Sequence, residues 1–76
     1  MEILCSLRHE DVPNVSQMFA TLRDLSGIEV VTRDRNTLSP LQAENVPEGS
    51  CLVIFQIPPD VFMPRFFQAL SQALRT

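Results

Sequence analysis

The run Cys51–Phe55 (CLVIF) is the longest unbroken stretch of apolar residues in the chain, and it sits between Gly49 and Pro58-Pro59. A short apolar run bounded by turn residues reads as a strand. It is far shorter than the ~20 residues that a bilayer-spanning helix needs. An unbroken apolar strand, unlike an alternating one, is the pattern of a strand covered on both faces. Residues 51–57 (CLVIFQI) therefore read as the third and most apolar strand, which needs helices on both sides or a partner to cover it. The chain has 76 residues with which to cover them. That is room for one domain, expected over residues 1–76, which buries only ~60% of its unfolded surface. With 45% apolar and 20% charged residues, the composition is too apolar for a disordered chain.

The rest of the chain supplies two further strands and two amphipathic helices. Residues 2–8 (EILCSLR) favour a strand, and HEDVP after them reads as a turn. Over 12–26, Val12, Val15, Met18, Phe19, Leu22 and Leu25 recur at spacings of three and four, which predicts a helix. Asp11 is placed to cap it, Pro13 is tolerated in its first turn, and Gly27 is placed to end it. Residues 28–32 (IEVVT) follow as a strand. The polar stretch from Arg33 to Ser50 contains Ser39-Pro40, an N-cap followed by Pro at the first helical position, so a turn or two of helix is expected over 40–45. Pro47-Glu48-Gly49 is turn chemistry. After Pro58-Pro59, Asp60 is placed to cap the last element, although Pro64 allows 60–63 to form a separate turn. In the helix over 61–75, Phe62, Phe66, Ala69 and Ala73 share one stripe, and Met63, Phe67, Leu70 and Leu74 share the next. At ~100° per residue the apolar arc is roughly 160° wide.

The order β-α-β-(short helix)-β-α predicts an α/β fold. The first strand, helix and second strand have the length of a right-handed parallel crossover, and the 33–50 connection is long enough for another. The expectation is a small, mainly parallel three-stranded sheet in the order 2-1-3, with helices on both faces. The alternative is a ferredoxin-like α+β layer in which the second and third strands pair antiparallel and both helices cover one face. In that case Leu4, Leu52 and Ile54 are left on the other face.

Three segments resemble the first half of a Toll/interleukin-receptor (TIR) domain. EILCSLRHED is similar to its opening strand and acidic turn. GIEVVTRDRNTLSP is similar to its second strand, an Arg-Asp pair and a loop used for partner contact. CLVIFQIPPDVFMPRFFQAL is similar to its third strand, turn and aromatic-led helix. The likeness covers about half of a usual TIR domain, without its last two strands and helices. NAD-cleaving members carry a Glu in the helix after the third strand, and FFQALSQAL here holds no acidic residue. The resemblance implies a homotypic interaction module without that activity.

The residues themselves point away from most chemistries. Lys, Trp and Tyr are absent, so lysine catalysis is excluded. The net charge of −3 and the pI near 4.8 lack the basic footprint of a nucleic-acid or membrane-surface binder. Gly occurs only at 27 and 49, so there is no phosphate-cradling loop. His9 and Cys5, if extended, lie roughly 13 Å apart, beyond hydrogen-bond reach, while a cross-strand Cys51–His9 pair stays open. Cys5, Cys51 and His9 have no metal-ligand spacing. Glu10 and Asp11 are read as turn and cap residues. The MEILCSLRHED start has no export-signal pattern, so a cytoplasmic chain with Cys5 and Cys51 as buried free thiols is expected over a disulfide.

These observations predict a non-enzymatic protein-interaction module that self-associates or binds a homologous domain. It is expected to use no cofactor, no metal and no nucleic acid, and to have no membrane span. The candidate partner-binding residues are Arg33, Asp34 and Arg35 in the long connection and Met63, Phe67, Leu70 and Leu74 on the last helix. Within that helix, Phe66 is assigned to the core and Phe67 to the partner side. The alternative is a small regulatory domain that binds an apolar ligand between sheet and helices.

Overall fold

The computed structural model describes residues 1–75. Three strands, β1 (Glu2–Arg8), β2 (Glu29–Arg33) and β3 (Ser50–Gln56), form one sheet. Its order is β1-β3-β2. Both outer strands run antiparallel to β3. The expectation of a mainly parallel sheet in the order 2-1-3 with helices on both faces is therefore wrong. The fold is α+β. The antiparallel β2–β3 pairing and the placing of both long helices on one face coincide with the ferredoxin-like alternative.

The physical reason lies in the connection after β2. The seven residues of β3 extend over ~23 Å, and a parallel crossover has to return along that whole length. The only helix in the connection, α2 (Pro40–Ala43), has four residues and spans ~6 Å. That short helix does not lead the chain back across the sheet. The chain instead turns through a 3₁₀ segment at Arg35–Thr37, then α2, and re-enters beside the end of β2, where Arg33 pairs with Leu52. The crossover from β1 to β2 does exist, since both run antiparallel to β3 and so parallel to each other. It leaves a gap one strand wide, and the most apolar strand fills it.

The helix α1 (Val12–Thr21) follows β1. Asp11 occupies its N-cap position, but its carboxylate makes no cap bond. Asp11 Oδ2 accepts instead from Arg8 Nε at 3.1 Å, which corrects the expected cap. The helix also stops earlier than its periodicity predicts. Leu22 is extended, and Arg23–Leu25 form a separate 3₁₀ turn. The Thr21 hydroxyl donates to the Met18 carbonyl at 3.0 Å, a local bond of the kind that competes with helix continuation. Leu25 still reaches the core, and Gly27, at φ +91°, reverses the chain into β2. Ser39 does cap α2: its hydroxyl accepts from Gln42 N–H at 3.4 Å. The last helix, α3 (Met63–Leu74), starts after a turn closed by Val61 N–H donating to Pro58 O at 3.2 Å. Its N-cap is Phe62, and Asp60 lies before it in the turn.

Both long helices pack on the same face of the sheet. Phe19 from α1, Phe66 from α3 and Phe55 from β3 meet pairwise, with centroid separations of 5.4, 5.2 and 5.1 Å. Around this triad lie Leu7, Val15, Leu25, Val53 and Ile57, with Ala69 and Ala73 on α3. The two alanines carry little bulk, so α3 can lie close to its neighbours. The strand residues in this core, Leu7, Cys51, Val53 and Phe55, alternate along their strands. The residues between them, including Leu4, Leu52 and Ile54, face away. The unbroken apolarity of CLVIF thus reflects a central strand whose second face is only partly covered, by α2 and the buried Val46 beside it.

Candidate functional site

The face of the sheet opposite the helices carries a cross-strand apolar row. Leu4 on β1 and Val31 on β2 both pair with Ile54 on β3. Leu52 lies beside this row, between Ser6 and Arg33. None of the four apolar residues belongs to the core cluster, and Leu4 is 50% exposed. The sequence alternative already names Leu4, Leu52 and Ile54. Val31 was missed, and the alternation Glu29-Val31-Arg33 along β2 is the signal that places it here. A shallow groove of about 230 Å³ runs beside Leu4, Ser6 and Leu52, walled by Gln42, Asn45 and Val46.

The outer edge of β1 adjoins this face. Met1 and Ile57 exchange both backbone bonds, at 2.9 and 2.8 Å. His9 N–H donates to Gly49 O at 3.0 Å, in phase with them. Antiparallel ladders alternate, so the odd residues of β1 bond to β3. The even residues, Glu2, Leu4, Ser6 and Arg8, direct their N–H and C=O groups to the open side. Among these, the Arg8 carbonyl accepts from Asp11 N–H at 2.9 Å. The same alternation turns only Val30 and Thr32 of β2 to the opposite edge, so β1 offers the longer free ladder.

The polar ends of β1 are engaged but not saturated. Glu2 Oε2 accepts from Gln56 Nε2 at 2.6 Å. Arg8 Nη1 lies 3.0 Å from Glu10 Oε1, and Nε lies 3.1 Å from Asp11 Oδ2. That carboxylate bond and the two acidic neighbours push the Arg8 guanidinium up from its ordinary value. The Glu2 and Arg8 side chains are both exposed.

The chain matches no known protein family, no curated protein and no solved structure.

The partner-binding residues predicted from sequence fall into two separate groups. Arg33 lies at the end of β2 on the open face, and Asp34 and Arg35 are exposed in the 3₁₀ turn after it. Met63 and Leu70 lie on α3 and pack partly against the core. Phe67 and Leu74 are exposed on α3, with Phe67 set edge-on to Phe66 at 5.2 Å. The connection and α3 belong to different layers, so the structure does not bring these groups into one site.

The thiols are poorly placed for nucleophilic chemistry. Burial pushes the Cys5 thiol up from its ordinary value. Burial, then the Asp34 carboxylate, push Cys51 up as well. An activated cysteine needs the opposite shift. His9 is exposed, and no hydrogen bond joins it to either cysteine among the described residues. Both cysteines are free. No group of three potential metal ligands occurs among the described residues. The space between sheet and helices, where an apolar ligand would sit, is filled by Phe19, Phe55 and Phe66. No described helix is long and apolar enough to cross a membrane.

Proposed function

We propose that this chain is a non-enzymatic protein-interaction module that self-associates through its three-stranded sheet. The observation that carries this reading is the row Leu4–Ile54–Val31 on the face that α1 and α3 leave uncovered. Apolar side chains lined up across a sheet gain by leaving water, at ~25 cal/mol per Å². α2 and Val46 cover only part of that face, and a second protein surface removes the remainder from solvent. The mixed polar surroundings, Ser6, Arg33 and Gln56, are those of an interface rim. Protein in the cytoplasm is the expected setting, consistent with two thiols held apart from any disulfide.

Sedimentation equilibrium over a range of concentrations tests the reading. The expected mass rises from 8.6 kDa towards twice that value as concentration increases. A mass that stays at 8.6 kDa throughout would overturn it.

A further inference from the structure

Building on the self-association proposed above, we infer that two copies join edge to edge through β1, antiparallel and in one register, to make a continuous six-stranded sheet with the two-fold axis at Cys5. The partner is a second copy of this chain, and three observations select the arrangement.

The first is the free ladder. Only Glu2, Leu4, Ser6 and Arg8 turn backbone groups outward, so an added antiparallel strand must pair even residues with even residues. For a two-fold pair the two residue numbers in each facing couple sum to a constant, and that constant has to be even. A sum of 10 is the only value that uses all four residues, pairing Leu4 with Ser6 of the second copy and Glu2 with Arg8, whose N–H is open while its carbonyl already accepts from Asp11 N–H. Sums of 8 or 12 leave one of the four unpaired.

The second is charge. β1 begins with Glu2 and ends with Arg8, and reversal of the second copy sets Glu2 against its Arg8 at both ends, where Arg8 also faces Glu10 and Asp11 of its own chain. Both side chains are exposed, and each carries a polar atom beyond those bonded to Gln56, Glu10 and Asp11. Opposite charges directly across a strand pair favour this register over its neighbours.

The third is continuity of the apolar row. In this register Leu4 lies diagonal to Leu4 of the second copy, within reach across the axis. The two rows Val31–Ile54–Leu4 then run together as one strip over the open face. Leu4, half exposed in the single chain, gains an apolar neighbour at its flank across the axis, while the outer side of the strip stays open. On the helix side, the partly exposed Ile3 faces Leu7 of the second copy, and Cys5 faces its own counterpart.

That last pair gives a test specific to the register. Cys5 falls at a non-hydrogen-bonded position, where facing Cα atoms lie ~4.5 Å apart, inside the range a disulfide accepts. A slip to a sum of 8 or 12 moves the two cysteines to a diagonal, ~8 Å apart, outside it. The experiment treats the wild-type chain with copper–phenanthroline at concentrations where sedimentation shows the dimer. The expected product is a covalent dimer whose cross-link maps to Cys5–Cys5; it is lost in Cys5→Ser and kept in Cys51→Ala. Ser6→Pro removes one outward N–H and no bond to β3, so the monomer keeps its fold by circular dichroism while the dimer is lost. Glu2→Arg places like charges at both ends and is expected to weaken the dimer roughly tenfold at low salt, while Glu29→Arg on the opposite edge leaves it unchanged. A dimer that forms no Cys5–Cys5 link, or that survives Ser6→Pro and Glu2→Arg, overturns the β1 edge and leaves self-association standing. A strict monomer overturns both.

Discussion

Phe19 and Phe66 stack with ring centroids 5.2 Å apart and planes 26° apart, joining α1 to α3 directly over Phe55 of the central strand. Phe55 meets Phe66 edge-on, at 78°, and Phe19 at 60°. Offset and edge-to-face ring pairs of this kind contribute beyond their buried area. Three of the five phenylalanines are thus committed to one point, where both helices and the sheet meet.

Removal of a triad member has to leave a cavity lined by the other two. Phe66→Ala is expected to cost ~3–5 kcal/mol, close to the whole stability of a domain of this size. Urea denaturation followed by circular dichroism reads this directly. An unchanged midpoint would show that the helices do not pack through these rings.

Phe67 is adjacent in sequence and differs in consequence. It is 49% exposed, against 0% for Phe66. Phe67→Arg keeps its charge in water and is expected to cost less than ~1 kcal/mol, whereas Phe66→Arg buries an unpaired charge and unfolds the chain. The same Phe67→Arg protein separates two interfaces. Retention of the dimer accords with the β1 edge, while its loss would move the contact to α3.

Gly27 and Gly49 both lie at positive φ, +91° and +80°, and their surroundings set them apart. An added Cβ at Gly27 meets Pro58 Cγ at 3.3 Å, while at Gly49 it meets nothing within 4 Å. Gly49→Ala should cost about 1–2 kcal/mol from backbone strain alone. Gly27→Ala should cost more, because Pro58 is rigid and has to shift as well. Equal melting shifts for the two variants would show that the Pro58 contact is not restrictive.

Arg65 on α3 and Asp24 in the 3₁₀ turn form an ion pair whose side chains are both more than half exposed. Water and salt screen such a pair. Arg65→Gln is therefore expected to cost less than ~1 kcal/mol, and 1 M salt should erase the difference. A larger, salt-resistant loss in the same denaturation experiment would assign Arg65 a packing role.

Stability is expected to fall in mildly alkaline solution through the two thiols. Folding raises the pKa of Cys5 and Cys51, so the folded chain holds these protons more tightly than the unfolded one. Their contribution is complete below the unfolded thiol value of about 8.5 and is lost as pH rises through the folded values. With no Lys or Tyr in the chain, few other groups titrate there. Urea midpoints measured between pH 7 and 10 should decline above about pH 8.5. Cys5→Ser with Cys51→Ala should flatten the curve, and a decline that persists in that double variant would assign it to other groups.

The sequence by itself determined the elements. The apolar run at Cys51–Phe55, the spacing of Val12, Val15 and Phe19, and the Ser39-Pro40 cap each encode structure within a few residues, because backbone preference and side-chain period act locally. The split between Phe66 and Phe67 was legible for the same reason, since adjacent helical residues point about 100° apart. The tertiary structure alone decided how the strands pair. β3 runs antiparallel between β1 and β2, a pairing of segments distant in sequence that no local pattern expresses. The open face and the free edge follow from that order. Val31 looks like any half-buried strand residue until its pairing with Ile54 is known. The Glu2 and Arg8 ends of β1 acquire their complementarity only once β3 has taken the odd-numbered half of its hydrogen bonds.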